Sequence, residues 1–284
     1  MLNAKLMDIV DALLPALRQF VLGDYGIAVG GAHAKDQDDE ESDLDIYLFN
    51  DAILPDEERT RLTQQTDATI HDIISWSSGM PFEQAGTDFY WGNLKVECWL
   101  RNARSIDGTV QDCLAGVVKR DLVVWTTTGF YNHCCLSDLQ HMIPIADPAG
   151  MIQRWKSQVC HYPARLRSSI IDQHLGAARF WPANFHYSSA IERQDVIYTT
   201  GIIQQVLHNL IQVLFALNEV YFPGDKKLIQ AISHFHHVPK HFTDRLQRLI
   251  FPADAISTGL LREQQRELQE LLHEIEILAE ENCA

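Results

Sequence analysis

Long hydrophobic segments are absent from this sequence of 284 residues, in which no run of about 18 or more apolar residues occurs. A helix that spans a bilayer needs roughly 20 mostly apolar residues, so we expect no membrane span. The first twenty residues follow an amphipathic helical pattern that includes Asp8 and Asp11, which is not typical of a signal peptide. We therefore expect a cytoplasmic protein.

Basic residues are scarce relative to acidic ones. The chain has 23 Lys and Arg against 38 Asp and Glu, which gives a formal net charge of −15. Nucleic-acid backbones require basic surface, so this balance argues against nucleic acid as the main partner. It is compatible with a small cationic substrate, although many acidic proteins owe their charge to solubility alone.

Cysteine spacing typical of zinc sites is also missing, since the six cysteines form no CxxC motif. His133, Cys134 and Cys135 with His141 form one alternative metal set, and the histidines in 234–237 form another. Adjacent cysteines rarely point at one ion, so we favour buried free thiols and a solvated histidine loop. Internal repeats and low-complexity linkers are absent as well.

Hydrophobic periodicity predicts an α+β protein whose pattern changes near residue 150. The first part alternates helices with short strands, and the second part shows only helical periods. We predict strands at 27–29, 44–49, 70–76, 87–91, 94–100 and 143–146 and helices at 4–22, 56–69, 105–119, 150–160, 163–179, 188–220, 225–235 and 256–282. The predicted domains are therefore 1–149, with a mixed sheet flanked by helices, and 150–284, an all-α bundle.

The segment from Gly30-Gly31 to Asp45 carries the most chemical information. A short apolar strand ends in the two glycines, an acidic loop follows, and Asp43 and Asp45 then appear in the second apolar run. Residues i and i+2 of a strand point to the same side, where two like charges repel unless a cation lies between them. Carboxylate pairs suit Mg²⁺, which proteins hold with one or two carboxylates plus substrate phosphates.

Both halves of this segment have ordinary alternatives. Gly30 and Gly31 could serve only a tight turn, or their missing Cβ atoms could let backbone N–H groups, with Ser42 nearby, approach a phosphate. Asp43 and Asp45 could lie on a solvent-facing edge strand. The apolar residues that alternate with them favour a partly buried strand and hence a nucleotide and metal site.

The pattern Gly-Gly, a loop of about a dozen residues and Asp-Leu-Asp-Ile resembles the signature of the nucleotidyltransferase superfamily that includes DNA polymerase beta and the aminoglycoside adenylyltransferases. This resemblance implies a nucleotidyltransferase fold in the first domain. It also implies that Asp43 and Asp45 bind Mg²⁺ and a nucleoside triphosphate, and that a third carboxylate comes from a later, neighbouring strand.

Glu97 fits this third position best, as a metal ligand or general base. Asp72 and Asp88 compete with it, because both lie in strand-like segments. The alternative for Glu97 is a surface acid paired with Lys95 or Arg101.

A second resemblance lies in the helical half. The segment Tyr-Phe-Pro-Gly-Asp-Lys-Lys at 221–227 is similar to one that follows the long helix of antibiotic-type nucleotidyltransferases. It implies that Lys226 approaches the nucleotide phosphates, although an exposed lysine pair is the alternative. Arg193 and Asp195 are predicted at the start of the 188–220 helix. There Arg193 could contact phosphate or substrate, and Asp195 could bind a substrate amine or hydroxyl. The alternative for both residues is an ion pair within the helix or with another helix.

Together these resemblances imply an Mg²⁺-dependent enzyme that transfers AMP from ATP, or a nucleotide from another NTP, to a hydroxyl of a small, aminoglycoside-like molecule. Trp76, Trp91 and Trp99 lie near the predicted site and would suit such an acceptor. The alternatives are a protein-modifying (AMPylating) nucleotidyltransferase and a non-catalytic nucleotide-binding protein of the same fold.

Overall fold

The computed structural model describes residues 2, 4–40, 42–78 and 84–282 of the chain. The helices are α1 Ala4–Leu17, α2 Gly31–Ala34, α3 Asp56–Gln64, α4 Ala103–Leu114, α5 Cys134–His141, α6 Met151–Gln158, α7 Ala164–Arg179, α8 Phe185–Glu192, α9 Val196–Leu217, α10 Leu228–Ile232, α11 Phe242–Ile250 and α12 Thr258–Asn282. The strands are β1 Gly26–Val29, β2 Leu44–Asn50, β3 Ile70–Ser77, β4 Ala85–Trp91, β5 Leu94–Asn102, β6 Arg120–Asp121, β7 Phe130–Tyr131 and β8 Ile143–Ala146. The predicted α+β architecture, a mixed sheet flanked by helices and a C-terminal helical region, is confirmed.

The chain divides into two compact units, each built from separate segments. Unit 1 contains residues 1–111 and 135–161, and unit 2 contains residues 112–134 and 162–284. These ranges differ from the predicted division into 1–149 and 150–284. The difference arises because α6 follows β8 within unit 1, whereas the segment that carries the small β6–β7 sheet belongs with the later helices.

Unit 1 is organised around a six-stranded sheet with the order β3-β4-β5-β2-β1-β8. Strands β2 and β5 are parallel, and the other neighbours in this sheet are antiparallel. One sheet face is apolar and joins the buried side of α1 in a single core, with side chains such as Val10, Leu13, Ile46 and Val96. Residues alternate along a strand, so Asp45, Tyr47 and Phe49 point to the opposite face.

A buried arginine ties α3 to the edge of this sheet. Arg59 is fully buried, and its guanidinium donates to the main-chain carbonyls of Leu54, Trp76 and Gly86 at 2.7–3.1 Å. It also donates to the hydroxyl of Thr87 at 3.1 Å. These bonds satisfy polar groups that would otherwise be buried without partners, so they fix β3 and β4 in place.

Unit 2 is a helical assembly in which α7, α8, α11 and α12 pack around α9. Every residue from 206 to 217 of α9 is buried, which makes it the central helix. This helix is long and apolar enough to cross a membrane by length and composition alone, but 72% of the relevant window is buried inside the protein. A core helix has the same composition, and its burial supports that interpretation.

The predicted helix over 188–220 is wrong as a single element. Gln194 adopts a left-handed backbone conformation (φ 52°) and Asp195 caps α9, accepting a hydrogen bond from the Tyr198 amide at 3.2 Å. A side chain that caps a helix start favours a new helix over the continuation of the old one. Arg193 consequently follows the end of α8.

Candidate functional site

Three carboxylates lie side by side across the sheet of unit 1. Asp45 on β2 is in register with Glu97 on the parallel strand β5, and Glu97 is in register with Asp88 on the antiparallel strand β4. Registered neighbours point to the same face, so these acids form one row on the face opposite the apolar core. Asp43 lies one residue before β2, and its half-buried side chain precedes Asp45 by two positions. The structure therefore brings Asp43, Asp45 and Glu97 to one region of unit 1.

Two indoles orient two of these acids. The Nε1–H of Trp99 donates to Asp45 Oδ1 at 3.2 Å, and the Nε1–H of Trp76 donates to Asp88 Oδ2 at 3.0 Å. The two rings meet edge to face, with centroids 5.5 Å apart. Trp91, which we expected near the acceptor, instead packs against the apolar core on the other face.

Glu97 forms an ion pair with Lys95, the alternative considered from the sequence. Both residues are on β5, two positions apart, so they share a face. The ammonium group of Lys95 therefore neutralises part of the charge of the carboxylate row. Arg101, the other predicted partner of Glu97, pairs with Asp138 instead.

Burial, together with the charge of neighbouring acids, raises the pKa of Asp45 and of Asp88. The pKa of Asp45 rises from 3.8 to about 7, because burial disfavours its charged form and Asp43, Glu97 and Asp138 add negative charge, against the opposing hydrogen bond from Trp99. The pKa of Asp88 is also raised, mainly by burial. A bound cation would favour the ionised form of this group of acids.

The glycine pair fits closely against this site. A Cβ atom on Gly31 would lie 1.7 Å from Asp45 Oδ2, and one on Gly30 would lie 2.0 Å from the ring of Tyr47. Gly31 also has a left-handed backbone (φ 59°). These contacts give the glycines a role that sequence reasoning missed: they make room for the side chains of β2. Their approach to a phosphate stays a prediction.

A largely buried ion cluster lies on the same face of the sheet. Asp138 on α5 accepts hydrogen bonds from Lys35 Nζ and Arg101 Nη1, each at 3.1 Å. The guanidinium of Arg101 also lies 4.0 Å from the ring centre of Tyr47. Burial alone would raise the pKa of Asp138, but the two cations and their hydrogen bonds hold it below its usual value. Asp138 is thus an ionised, fully compensated acid near the under-compensated Asp45.

Ser42 is engaged within its own loop. Its hydroxyl donates to Asp39 Oδ1 and accepts from the Asp39 amide, both at 2.9 Å. The phosphate contact predicted for Ser42 stays a prediction. Of the acidic run at 36–41, Glu41 lies outside the described residues.

The competing acids have different surroundings. Asp72 is exposed at an irregularity of β3, with a left-handed backbone (φ 52°) and a hydrogen bond from His71 at 3.0 Å. It is therefore outside the row. Asp88 is inside the row, and its buried Oδ1 has no hydrogen-bond partner among the described residues.

Lys226 and Arg193 belong to unit 2, and both side chains are exposed. Exposure is compatible with phosphate binding and equally with the solvated alternative. Their predicted roles stay predictions.

The carboxylate row offers oxygen ligands of the type that Mg²⁺ prefers. Among the described residues, however, no three His, Cys, Asp or Glu side chains converge as a ready-made metal cage. Mg²⁺ needs only one or two protein carboxylates when substrate phosphates supply other ligands. The raised pKa of Asp45 and the unpartnered oxygen of Asp88 are observations that fit a cation at this face.

The position of Asp88 could have been found from the sequence. Gly92 and Asn93 form a two-residue turn that pairs Trp91 with Leu94. Counting outward from this turn places Asp88 opposite Glu97, because each step moves one residue along both strands. The Lys35–Arg101–Asp138 cluster gave no comparable signal, since its members are far apart in the sequence.

Comparisons with known proteins leave the family open. The profile of a domain of unknown function (DUF4037) matches residues 133–228, about a third of the chain. This range includes Arg193, Asp195 and Lys226 but not Asp43, Asp45 or Glu97. No curated protein matches the chain. The crystal structure of a nucleotidyltransferase-like protein from Exiguobacterium sibiricum 255-15 is similar with 8% sequence identity and a TM-score of 0.49, covering 96% of this chain and 78% of that one. At this level the similarity does not decide what this chain does.

Proposed function

We propose that this protein is an Mg²⁺-dependent nucleotidyltransferase that transfers a nucleoside monophosphate, AMP from ATP, to a hydroxyl of a small molecule and releases pyrophosphate. The observation that carries the proposal is the register of Asp45 beside Glu97 on adjacent strands, with Asp43 two positions before Asp45. This group of like charges is costly unless a cation and its ligand compensate for it.

In this proposal, Asp43 and Asp45 are the residues that hold Mg²⁺ together with the triphosphate, and Glu97 completes the site. The bound metal supplies neutralisation of phosphate charge. Gly30, Gly31 and Ser42 lie on the segment that leads into β2, and in this proposal they contact the triphosphate. The phosphate contacts suggested for Lys226 and Arg193 of unit 2 stay predictions. Trp99 fixes the carboxylate of Asp45 through its indole N–H.

The reaction is an in-line displacement. The acceptor hydroxyl attacks the α-phosphorus while its proton passes to a carboxylate oxygen of Glu97, and the bond to pyrophosphate breaks. Positioning and charge compensation provide most of the rate enhancement in such transfers. The acidic surface and the Trp76–Trp99 pair suit a hydroxylated, cationic acceptor such as an aminoglycoside.

The test is a transfer assay with labelled ATP and Mg²⁺, first with a panel of aminoglycosides and then with cell lysate. A labelled small product supports the proposal. Labelled protein would instead indicate the AMPylating alternative, and nucleotide binding without transfer would indicate the non-catalytic one.

Variants decide the site assignment. We expect Asp43→Asn and Asp45→Asn to abolish transfer while the protein remains folded. Asp72→Asn is the matched control, because Asp72 is an exposed acid of the same sheet outside the row. Wild-type transfer rates in either site variant would show that the site is wrongly assigned.

A further inference from the structure

Unit 2 contains a cavity of about 550 Å³ among helices α9, α10 and α11. Its aliphatic walls are formed by Leu207, Ile211, Leu228, Ile232, Leu246 and Ile250. Most of these side chains are buried even though they line open space. Half of the lining residues are polar, and a cavity that joins apolar walls to placed polar groups has the character of a site for a small molecule.

One carboxylate stands at the edge of these apolar walls. Asp225 Oδ2 accepts three hydrogen bonds, from the amide and hydroxyl of Thr127, both at 2.8 Å, and from the amide of Thr128 at 3.3 Å. Asp225 Oδ1 accepts one, from the hydroxyl of Thr128 at 2.6 Å. A carboxylate has about four acceptor positions, two on each oxygen, so Oδ1 retains capacity for another donor.

The charge state of Asp225 favours a cationic donor. Burial alone would raise its pKa, but the four bonds from Thr127 and Thr128 hold the pKa below the usual value, so the group is ionised at neutral pH. His208, which also lines the cavity, is kept neutral because burial lowers its pKa to about 4, and its Nε2 lies 3.0 Å from the hydroxyl of Tyr131. Lys227 is the cationic side chain in the cavity lining.

We propose that this cavity binds a small amphipathic primary amine. The hydrocarbon part lies between the aliphatic walls of α9, α10 and α11, and the ammonium group donates to Asp225 Oδ1. Hydrocarbon burial supplies the affinity, and the fixed carboxylate selects the head group. The site lies entirely within unit 2, and it does not depend on the proposed nucleotidyl transfer.

Calorimetric titration of the full chain with octylamine, octanol and octanoate tests this proposal, because the three probes share a chain and differ in the head group. We expect octylamine to bind at least about tenfold more tightly than octanol, which is the scale of a charge-assisted hydrogen bond. Octanol binding as tightly as octylamine would show that Asp225 does not contact the ligand. Tighter binding of octanoate than of octylamine would favour Lys227 as the group that selects the ligand. No binding of octylamine would exclude the site. Each of these three results overturns the proposal.

Two variants locate the binding. Asp225→Asn should reduce the preference for octylamine over octanol at least about fivefold. Because Asp225 also holds Thr127 and Thr128, Ile229→Trp provides a second measurement from an exposed lining position that tolerates a larger side chain. It should lower octylamine affinity at least about fivefold by filling the cavity, whereas Ile197→Trp, an exposed position of α9 outside the cavity lining, should not. Unchanged affinity in Ile229→Trp would place binding elsewhere.

Discussion

Asp45→Asn should stabilise the metal-free protein while it removes activity. The pKa of Asp45 is about 7 instead of 3.8, so its ionisation in the folded protein is less favourable than in the unfolded chain by about three pKa units. At about 1.4 kcal/mol per unit, this sets a ceiling on the order of 4 kcal/mol for the gain in free energy of unfolding at pH 8. Asparagine retains a side-chain oxygen that can accept the hydrogen bond from Trp99. The variant should therefore not lose this bond, and part of the gain in stability should be observed.

The pH dependence of the free energy of unfolding shows whether the Asp45 charge stabilises or destabilises the folded protein. A raised folded-state pKa means that the folded protein binds the Asp45 proton more tightly than the unfolded chain does. Wild-type stability therefore falls relative to the variant as pH rises from about 4 to about 7, and the difference is constant above that range. Asp138→Asn is the matched contrast, because Asp138 is compensated by Lys35 and Arg101. It should destabilise the protein by about 3–5 kcal/mol, as expected when one partner of a buried ion pair is removed.

Urea unfolding with EDTA at pH 5 and pH 8 measures both variants. The reasoning predicts that Asp45→Asn raises the unfolding midpoint at pH 8 and has a smaller effect at pH 5. Added Mg²⁺ should then stabilise the wild type at pH 8 more than the variant. A lower midpoint for Asp45→Asn at pH 8, similar to that of Asp138→Asn, would refute the view that like charge destabilises this site.

Three further perturbations test the packing. Gly31→Ala should destabilise the protein by several kcal/mol, because the new Cβ would meet Asp45. Gly92 has the same φ of 59° but open space around it, so Gly92→Ala should cost only about 1 kcal/mol. Thermal melts of the two variants separate the steric clash from the backbone strain. Arg59→Met should lower the free energy of unfolding by about 3 kcal/mol or more, since it leaves several buried acceptors unpaired, and an effect below 1 kcal/mol by urea titration would contradict this. His133 is buried, and burial is the main reason that its pKa is lowered to about 3. The stability that its neutral form contributes is therefore complete above pH 6.5 and is lost as the pH falls toward 3. His133→Gln should make the free energy of unfolding less dependent on pH in this acidic range.

Regular periodicity predicted the strands of the unit 1 sheet correctly. The strands predicted at 44–49, 87–91 and 94–100 correspond to β2, β4 and β5, and these strands are sufficient to place Asp45 and Glu97 on one sheet. Local signals succeed here because the burial pattern of each strand is determined by the alternation of consecutive residues.

The errors have both local and long-range causes. The helix break at Gln194 depends on a left-handed residue and a cap, which apolar periodicity does not report. Helix α11 was not predicted, although its buried side contains Phe242, Leu246 and Leu249. The Lys35–Arg101–Asp138 cluster joins three elements whose proximity only the tertiary fold provides.

The interleaved course of the chain has a practical consequence for dissecting this protein. The backbone passes between the two units three times, after residues 111, 134 and 161, so no single cut yields either unit intact. A fragment that ends at residue 149 would lose Trp155, whose buried ring contacts Phe49 at 5.1 Å between centroids. It would also retain residues 112–134 without the later helices that belong to the same unit. Expressing unit 1 alone therefore requires joining residue 111 to residue 135 through a designed linker and ending the chain at residue 161.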